Sequence, residues 1–226
     1  MNDLIIVPIG SYEQHGPHLP PETDYLFAKS IVEKVAPKFK CKVIQGIKIG
    51  ISLEHKNFKN TKSISKKKFA FQVKSILSNY HSDTKFLFIN AHGGNNNILH
   101  SIQELNKAKI LVLNTFSIIK NELTSIRSSE IGGICHAGEF ETSIMLYLFP
   151  EKVKLERVRK SDVKYVPSLD PNYKFKKPKR WKTKNLSKSG ILGDPFHASK
   201  EKGEYWFQRL IKTIESLIDV FVKKYI

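Results

Sequence analysis

Four side chains with metal-binding chemistry, Glu13, His15, His18 and Asp24, fall within one short stretch, Gly10-Ser-Tyr-Glu-Gln-His-Gly-Pro-His-Leu-Pro-Pro-Glu-Thr-Asp24. Its two glycines and three prolines fix an irregular backbone, so these groups can converge on one point instead of following a strand or helix period. Glu13 and His15 are two residues apart, and on an extended segment both point the same way. Asp24 falls at a helix start, where a carboxylate either caps the helix or bridges two cations; read alone, the cap is the commoner role. A carboxylate, an imidazole and an aspartate behind a rigid turn suit a divalent first-row metal.

Two further polar loops carry candidates. His92 lies in Asn90-Ala-His-Gly-Gly-Asn95, where the Gly-Gly turn lets a ligand approach the backbone closely. A single histidine after a strand is more often a hydrogen-bonded polar residue than a ligand. Glu13, His15, Asp24 and His92 taken together are harder to dismiss, and a set without thiolates suits Zn, Mn or Fe(II), with Asp24 shared between two ions. The turn lacks both GxGxxG and a GK[ST] ending, which argues against a dinucleotide or P-loop phosphate site. His136 and Glu141, in His136-Ala-Gly-Glu-Phe-Glu-Thr-Ser143, are candidates for acid–base or ligand roles, while Glu139 has the position of a first-turn carboxylate favoured by the helix dipole. Cys135 is next to His136, but a lone cysteine is more often a small buried filler than a nucleophile. Cys41 and Cys135 form no CxxC pair and fit free thiols of a reducing compartment better than a disulfide.

The elements that must present these loops follow from periodicity. Residues 4–9 are apolar, rich in β-branched side chains and too short for a helix, and read as a buried strand. Residues 24–36 carry Phe27, Ala28, Ile31, Val32 and Val35 at helical spacing and stop at Pro37. Residues 41–50 read as a second strand, followed by a polar loop over 52–61. Residues 67–80 repeat Phe69, Val73, Ile76, Leu77 and Tyr80 on one helical face. Residues 85–90 form the central strand, a helix runs from the Gly-Gly turn to about 108, and 109–116 is another buried strand. The 136–143 stretch leads into a helix ending near Phe149-Pro150. Residues 151–198 are basic and punctuated by Pro and Gly, which fits a lid-like loop or small β excursion. A long amphipathic helix over about 200–224 has Trp206, Leu210, Ile214, Leu217 and Phe221 on its apolar side. Such units in series build a mostly parallel sheet covered by helices. Ligands gather at the carboxyl ends of its strands, so the three polar loops share one edge.

Composition narrows the class. At 226 residues, 26% charged and 40% hydrophobic, the chain reads as an ordinary soluble globular protein. No apolar run approaches the ~20 residues needed to span a membrane, and the N-terminus lacks the basic region of a signal peptide, so a cytoplasmic protein is expected. The net charge of +17 favours an anionic partner, a phosphorylated small molecule or nucleic acid. Much of that charge is spread over helix faces, as at Lys66-Lys-Lys68, or gathered at 174–184. Lysine-rich usage of this kind also accompanies a hot habitat or a biased genome.

The three loops, together with Ser189-Gly-Ile-Leu-Gly-Asp-Pro195, resemble the motifs of the creatininase (creatinine amidohydrolase) family, in the family's order and over nearly the whole chain. The resemblance implies a three-layer α/β sandwich, a mainly parallel sheet covered by helices on both faces, as a single creatininase-like domain over 1–226. It also implies a binuclear centre of two divalent ions, Zn, Fe(II) or Mn. In that centre Glu13 and His92 hold one metal, His15 holds the other and Asp24 bridges them. His136 then matches a histidine near the substrate, a candidate proton shuttle. Glu141 matches an acid that completes the second metal or assists catalysis. Two departures stand out. Gly94 replaces a metal-binding glutamate of creatininases proper, and Glu54-His-Lys-Asn-Phe-Lys-Asn-Thr61 replaces a Pro-Gly-Thr turn. A His-Gly-Gly turn is instead similar to archaeal formylaminopyrimidine nucleotide deformylases of flavin and deazaflavin synthesis, and to mycofactocin-precursor peptidases.

The expected activity is hydrolysis of a non-peptide C–N bond, namely deformylation of a formylaminopyrimidine ribonucleotide monophosphate with release of formate. The alternatives are a creatinine-type cyclic amidohydrolase, a mycofactocin-precursor-like peptidase and, outside the class, a basic RNA-binding protein. Lys56, Lys59, Lys62 and the 174–184 cluster are candidates for holding the phosphate. The expected partners are a small amide or formamide and, since family members form rings, further copies of the chain; neither membrane nor nucleic acid is expected. The last helix and exposed aromatics such as Trp181 are candidates for the subunit interface.

Overall fold

In the computed structural model, which describes residues 4–107, 109–171, 173 and 181–225, the apolar run at the start is the strand β1 (Leu4–Ile9), buried along its whole length. Alternation sends its side chains to two separate cores. Leu4 and Ile6 join one face, and Ile5, Val7 and Ile9 join the other. β1 lies between β2 (Lys42–Val43) and β3 (Lys85–Asn90), and β4 (Ile110–Asn114) completes a parallel sheet in the order β2-β1-β3-β4. Every parallel connection needs a crossover, and helices supply it.

The first face is covered by α1 (Thr23–Phe39), α6 (Glu139–Leu148) and α8 (Lys200–Tyr225), together with the short turns α4 (Thr115–Ile118) and α5 (Leu123–Ile126). Trp206 is fully buried there, edge-on to Phe140 at 5.4 Å, and its Nε1–H donates to the carbonyl of Glu122. Such an aromatic pair adds about 1 kcal/mol to the burial itself. The second face is covered by α2 (Lys66–Ser78) and α3 (Asn96–Glu104), with Phe69, Val73, Leu99 and Ile102 against Phe86 and Phe88. The architecture is the α/β sandwich with helices on both faces that the sequence predicts.

Several boundaries differ from the sequence expectation. Pro37 does not end α1, which runs on to Phe39 and stops at Lys40 in the left-handed conformation, φ 51°. The strand expected over 41–50 is reduced to Lys42–Val43 plus single contacts at Ile44 and Ile47, because Gly46 packs directly on the carbonyl of Pro8. Asn114 ends β4, and the chain turns at once into α4. α2 begins at Lys66, behind Ser65, whose hydroxyl oxygen caps it by accepting from Lys68 N–H. Leu217, expected on the apolar face of α8, is 38% exposed. In 151–198 the described residues form short 3₁₀ turns and one short helix, α7 (Thr183–Leu186), without a strand among them. The basic run 174–180 lies outside the described residues. No helix among the described residues is long and apolar enough to cross a membrane.

Candidate metal centre

The loops after β1 and β3 and the turn before α6 meet at the carboxyl edge of the sheet. Asn95, in the loop after β3, ties the loop after β1 and the segment after β2 together: its Nδ2 donates to the Gly10 carbonyl at 3.0 Å and its Oδ1 accepts from Ile51 N–H at 3.0 Å. Glu13, His15, Asp24, His92 and Glu141 are all buried around one point, and His136 is only partly exposed. Asp24 is not a helix cap. It turns Oδ1 to His15 Nε2 at 3.2 Å and Oδ2 to His92 Nδ1 at 3.1 Å, and it accepts from Ser11 Oγ at 2.9 Å.

Each imidazole is oriented from behind. His15 Nδ1 is 3.0 Å from the Glu13 carbonyl, which leaves Nε2 facing Asp24 and Glu141 Oε2 at 3.7 Å. His92 Nε2 is 2.9 Å from the Ile51 carbonyl, which leaves Nδ1 facing Asp24 and Glu13 Oε2 at 3.3 Å. Hydrogen bonds of this kind fix which ring nitrogen a histidine offers to a metal. His136 Nδ1 stands 3.7 Å from Glu13 Oε1 and 3.9 Å from Glu141 Oε2. It is presented by a sharp turn in which Ala137 adopts φ 53° and donates its N–H to Glu141 Oε2 at 2.6 Å.

Among the described residues, three sets bring ligand atoms within 4.8 Å of one another: Glu13–His15–Asp24, His15–His136–Glu141 and Glu13–His55–His136. Buried Glu13 Oε2 has no hydrogen-bond partner, and the described ion pairs of Glu13, Asp24 and Glu141 are all with histidines. Three buried carboxylates facing imidazole nitrogens, with one oxygen orphaned, fit a divalent cation of the Zn, Mn or Fe(II) kind.

The electrostatics report the same crowding. Burial opposes ionisation of Glu13, yet His92, His55 and His136 hold its carboxyl well below the usual range. Burial likewise opposes the charge on Asp24, and His15 draws it down to about 2. Burial disfavours charge on His15, but Asp24 and then Glu141 raise it to about 10. Burial pushes Glu141 up to about 7 against the pull of His15. Burial, His55 and His15 hold His136 well below its ordinary value.

Two sequence-level candidates fall elsewhere. His18 faces Thr142 Oγ1 at 2.9 Å and belongs to none of the three sets; burial lowers it to about 3. Glu139 is the first-turn carboxylate expected of it, and it is fully buried against Lys202 and the backbone N–H groups of Ser128 and Ser129. Conversely, His55 is buried in the cluster, 3.5 Å from Glu13 Oε1, although the sequence reading assigns that residue no role. Its signal was an acid–histidine pair, Glu54-His55, in a loop near a strand end. Gly94 leaves no room for a carboxylate: a Cβ there would lie 2.0 Å from the Ile51 carbonyl and 2.5 Å from His92 Nε2.

Above the cluster opens a cavity of about 1290 Å³, with Glu13, Asp24, His92, His136 and Glu141 in its wall. Lys56, Lys66, Lys120 and Lys182 line the same cavity. Lys66 and Lys120 were not legible as a pair, since they are 54 positions apart (120 − 66) and meet only through the fold. Lys59 is not in this wall, and Lys62 instead lies over the Tyr12 ring at 4.8 Å. Trp181 is half-buried and lines the cavity; it is not an exposed aromatic.

Known proteins share this fold. The chain matches the model of the creatininase family, described as creatinine amidohydrolase, over residues 1–218. It is 28% identical over 228 residues to the mycofactocin precursor peptide peptidase of Mycobacterium ulcerans (strain Agy99), covering 95% of this chain and 84% of that one. A solved structure titled Creatininase Mn superposes with a TM-score of 0.77 at 25% identity, covering 96% of this chain and 90% of that one. A mutant creatininase of Zn-Zn type superposes with a TM-score of 0.73, again at 25% identity and with 96% and 90% covered. The chain belongs to the creatininase family and is an amidohydrolase of that family.

Proposed function

We propose that the chain is a binuclear metal-dependent amidohydrolase that deformylates an anionic, nucleotide-sized formamide, a formylaminopyrimidine ribonucleotide monophosphate, releasing formate. One observation carries the reading: four lysines, Lys56, Lys66, Lys120 and Lys182, line the same cavity as a buried carboxylate–imidazole cluster. Lysine ammonium groups attract and hold phosphate as point charges. A cavity of about 1290 Å³ also far exceeds what a molecule as small as creatinine fills.

In this reading Glu13 and His92 hold one ion, His15 and Glu141 the other, and Asp24 lies between them with one oxygen toward each imidazole. Bound divalent ions supply positive charge that polarises the scissile carbonyl and acidifies water. The lysines hold the phosphate and so set the distance from the formyl carbon to the cluster. His136 stays neutral with Nδ1 toward the cluster, so it takes the proton of the attacking water and returns it to the leaving nitrogen. Water oxygen bonds to the formyl carbon, the C–N bond breaks, and formate and the free amine leave. We place this activity in the cytoplasm, in a homo-oligomer of single-domain subunits.

A second reading, peptide hydrolysis, is favoured by the relative named for a precursor peptide. Both are tested together. Protein purified without chelator is assayed for metal content, then offered the formylaminopyrimidine nucleotide under anaerobic conditions, with short peptides in parallel. About two metals per chain with formate released supports the first reading; peptide cleavage without formate moves the assignment to the second. No metal after reconstitution overturns both.

A further inference from the structure

His55 and His136 lie ring against ring, centroids 4.2 Å apart, and one side chain touches both. That side chain is Gln14, 1% exposed. Its amide orientation is over-determined: Oε1 accepts from Gly16 N–H at 2.9 Å, and Nε2 donates to the Gly190 carbonyl at 3.0 Å. Gly190, at φ 93°, has no side chain to displace it, since a Cβ there would fall 1.7 Å from Gln14 Oε1. With the NH₂ end fixed, two ring nitrogens lie within reach of its second proton, His55 Nδ1 at 2.9 Å and His136 Nε2 at 3.0 Å. The nearer partner of His136 Nε2 is a carbonyl that can only accept, so the amide proton goes to His55 Nδ1, and His55 carries its own proton on Nε2. His136 Nε2 lies 2.8 Å from the backbone carbonyl of Gln14, an acceptor only, so that nitrogen carries the proton and Nδ1 keeps the lone pair.

We propose that Gln14 is a positioning residue that turns opposite atoms of two neighbouring, mutually tilted histidine rings into the cavity. His55 presents a donor, Nε2–H, toward Glu13 Oε1 at 3.5 Å, and His136 presents an acceptor, Nδ1, toward the same oxygen at 3.7 Å. This gives His55 a role that the amidohydrolase reading above does not assign, and it rests on that reading only for its catalytic meaning. The proton on His55 also closes the Glu13–His55–His136 set to a metal.

The test is nitrogen-15 NMR of histidine-labelled, metal-free protein at neutral pH, where the one-bond and two-bond couplings identify the protonated ring nitrogen. Both His55 and His136 are expected neutral with the proton on Nε2. A proton on Nδ1 of His55, or a cationic His55, overturns the proposal. In Gln14→Glu the amide donor becomes an acceptor, and the His55 proton should move to Nδ1. His136, held by a backbone carbonyl, should keep its tautomer. If that variant does not fold, the wild-type spectrum still decides. Metal content gives an independent reading: His55→Ala should retain the wild-type metal content, and loss of an ion would make His55 a ligand and sink the assignment. None of these measurements needs a substrate, so failure to find formate or peptide cleavage leaves this result separate.

Discussion

Two buried carboxylate sites at the start of α6, built from similar residue types, have opposite character. At Glu139 the charge is saturated: two backbone N–H groups and the Lys202 ammonium converge on it, and Lys202 is itself tied to the His197 carbonyl at 2.7 Å. Two residues on, Glu141 faces His15 and His136 in a cluster where Glu13 Oε2 has no hydrogen-bond partner and each described ion pair is with an imidazole. A buried carboxylate supplied with its full set of donors is a structural joint. One crowded by other carboxylates is stable only with protons or cations among them. The difference separates fold from function on one helix.

The largest effect should come from breaking the second site. Asp24 has one oxygen toward each of two imidazoles, so Asp24→Ala should remove at least one metal per chain and abolish hydrolysis while the protein stays folded. Metal analysis and circular dichroism check this; full metal content with full activity would refute the assignment. The converse break is Lys202→Met, which strands the charge of Glu139 in a fully buried position. It should cost about 3 kcal/mol of stability, measured by denaturant titration, and leave metal content unchanged. If Lys202→Met loses metal as readily as Asp24→Ala, the two sites are not distinct in kind.

A smaller effect is expected from metal added to protein stripped of it. At about 100 times its Kd a single ion stabilises by about 2.7 kcal/mol, which for a chain of this size raises Tm by about 5–10 °C. Asp24→Ala should lose most of that rise and Lys202→Met should keep it.

The contrast was only half legible beforehand. The strand Leu4–Ile9, the helix faces and the polar loops were readable because periodicity and glycine–proline punctuation are local. So was the convergence of Glu13, His15, Asp24 and His92, since parallel strands must bring their carboxyl ends to one edge. What stayed hidden is non-local. Nothing near Glu139 announces a lysine 63 positions later, and His55 enters the cluster from a loop whose start, Ile51, is held by the distant Asn95. His18 misled because a motif lists residue types without their directions, and its ring turns to Thr142. Pro37 misled because a proline in the last turn of a helix can be tolerated when the helix ends a few residues later.

The finest test uses pH on metal-free protein, where the two carboxylates should give slopes of opposite sign. Burial opposes ionisation of Glu139, but Lys202 and the serine donors hold its carboxyl below the usual range. Its stabilisation is therefore present above the unfolded value of about 4.3 and is lost as pH falls through the folded value. Glu141 is pushed the other way, to about 7. Between about 4.3 and 7 the unfolded chain has released that proton and the folded one has kept it, so stability falls as pH rises. Each slope is at most about 1.4 kcal/mol per pH unit. Glu139→Gln should flatten the acid limb alone, and Glu141→Gln should flatten the decline toward neutrality alone. Should both substitutions act on the same limb, the two carboxylates share one environment and the distinction between joint and site fails.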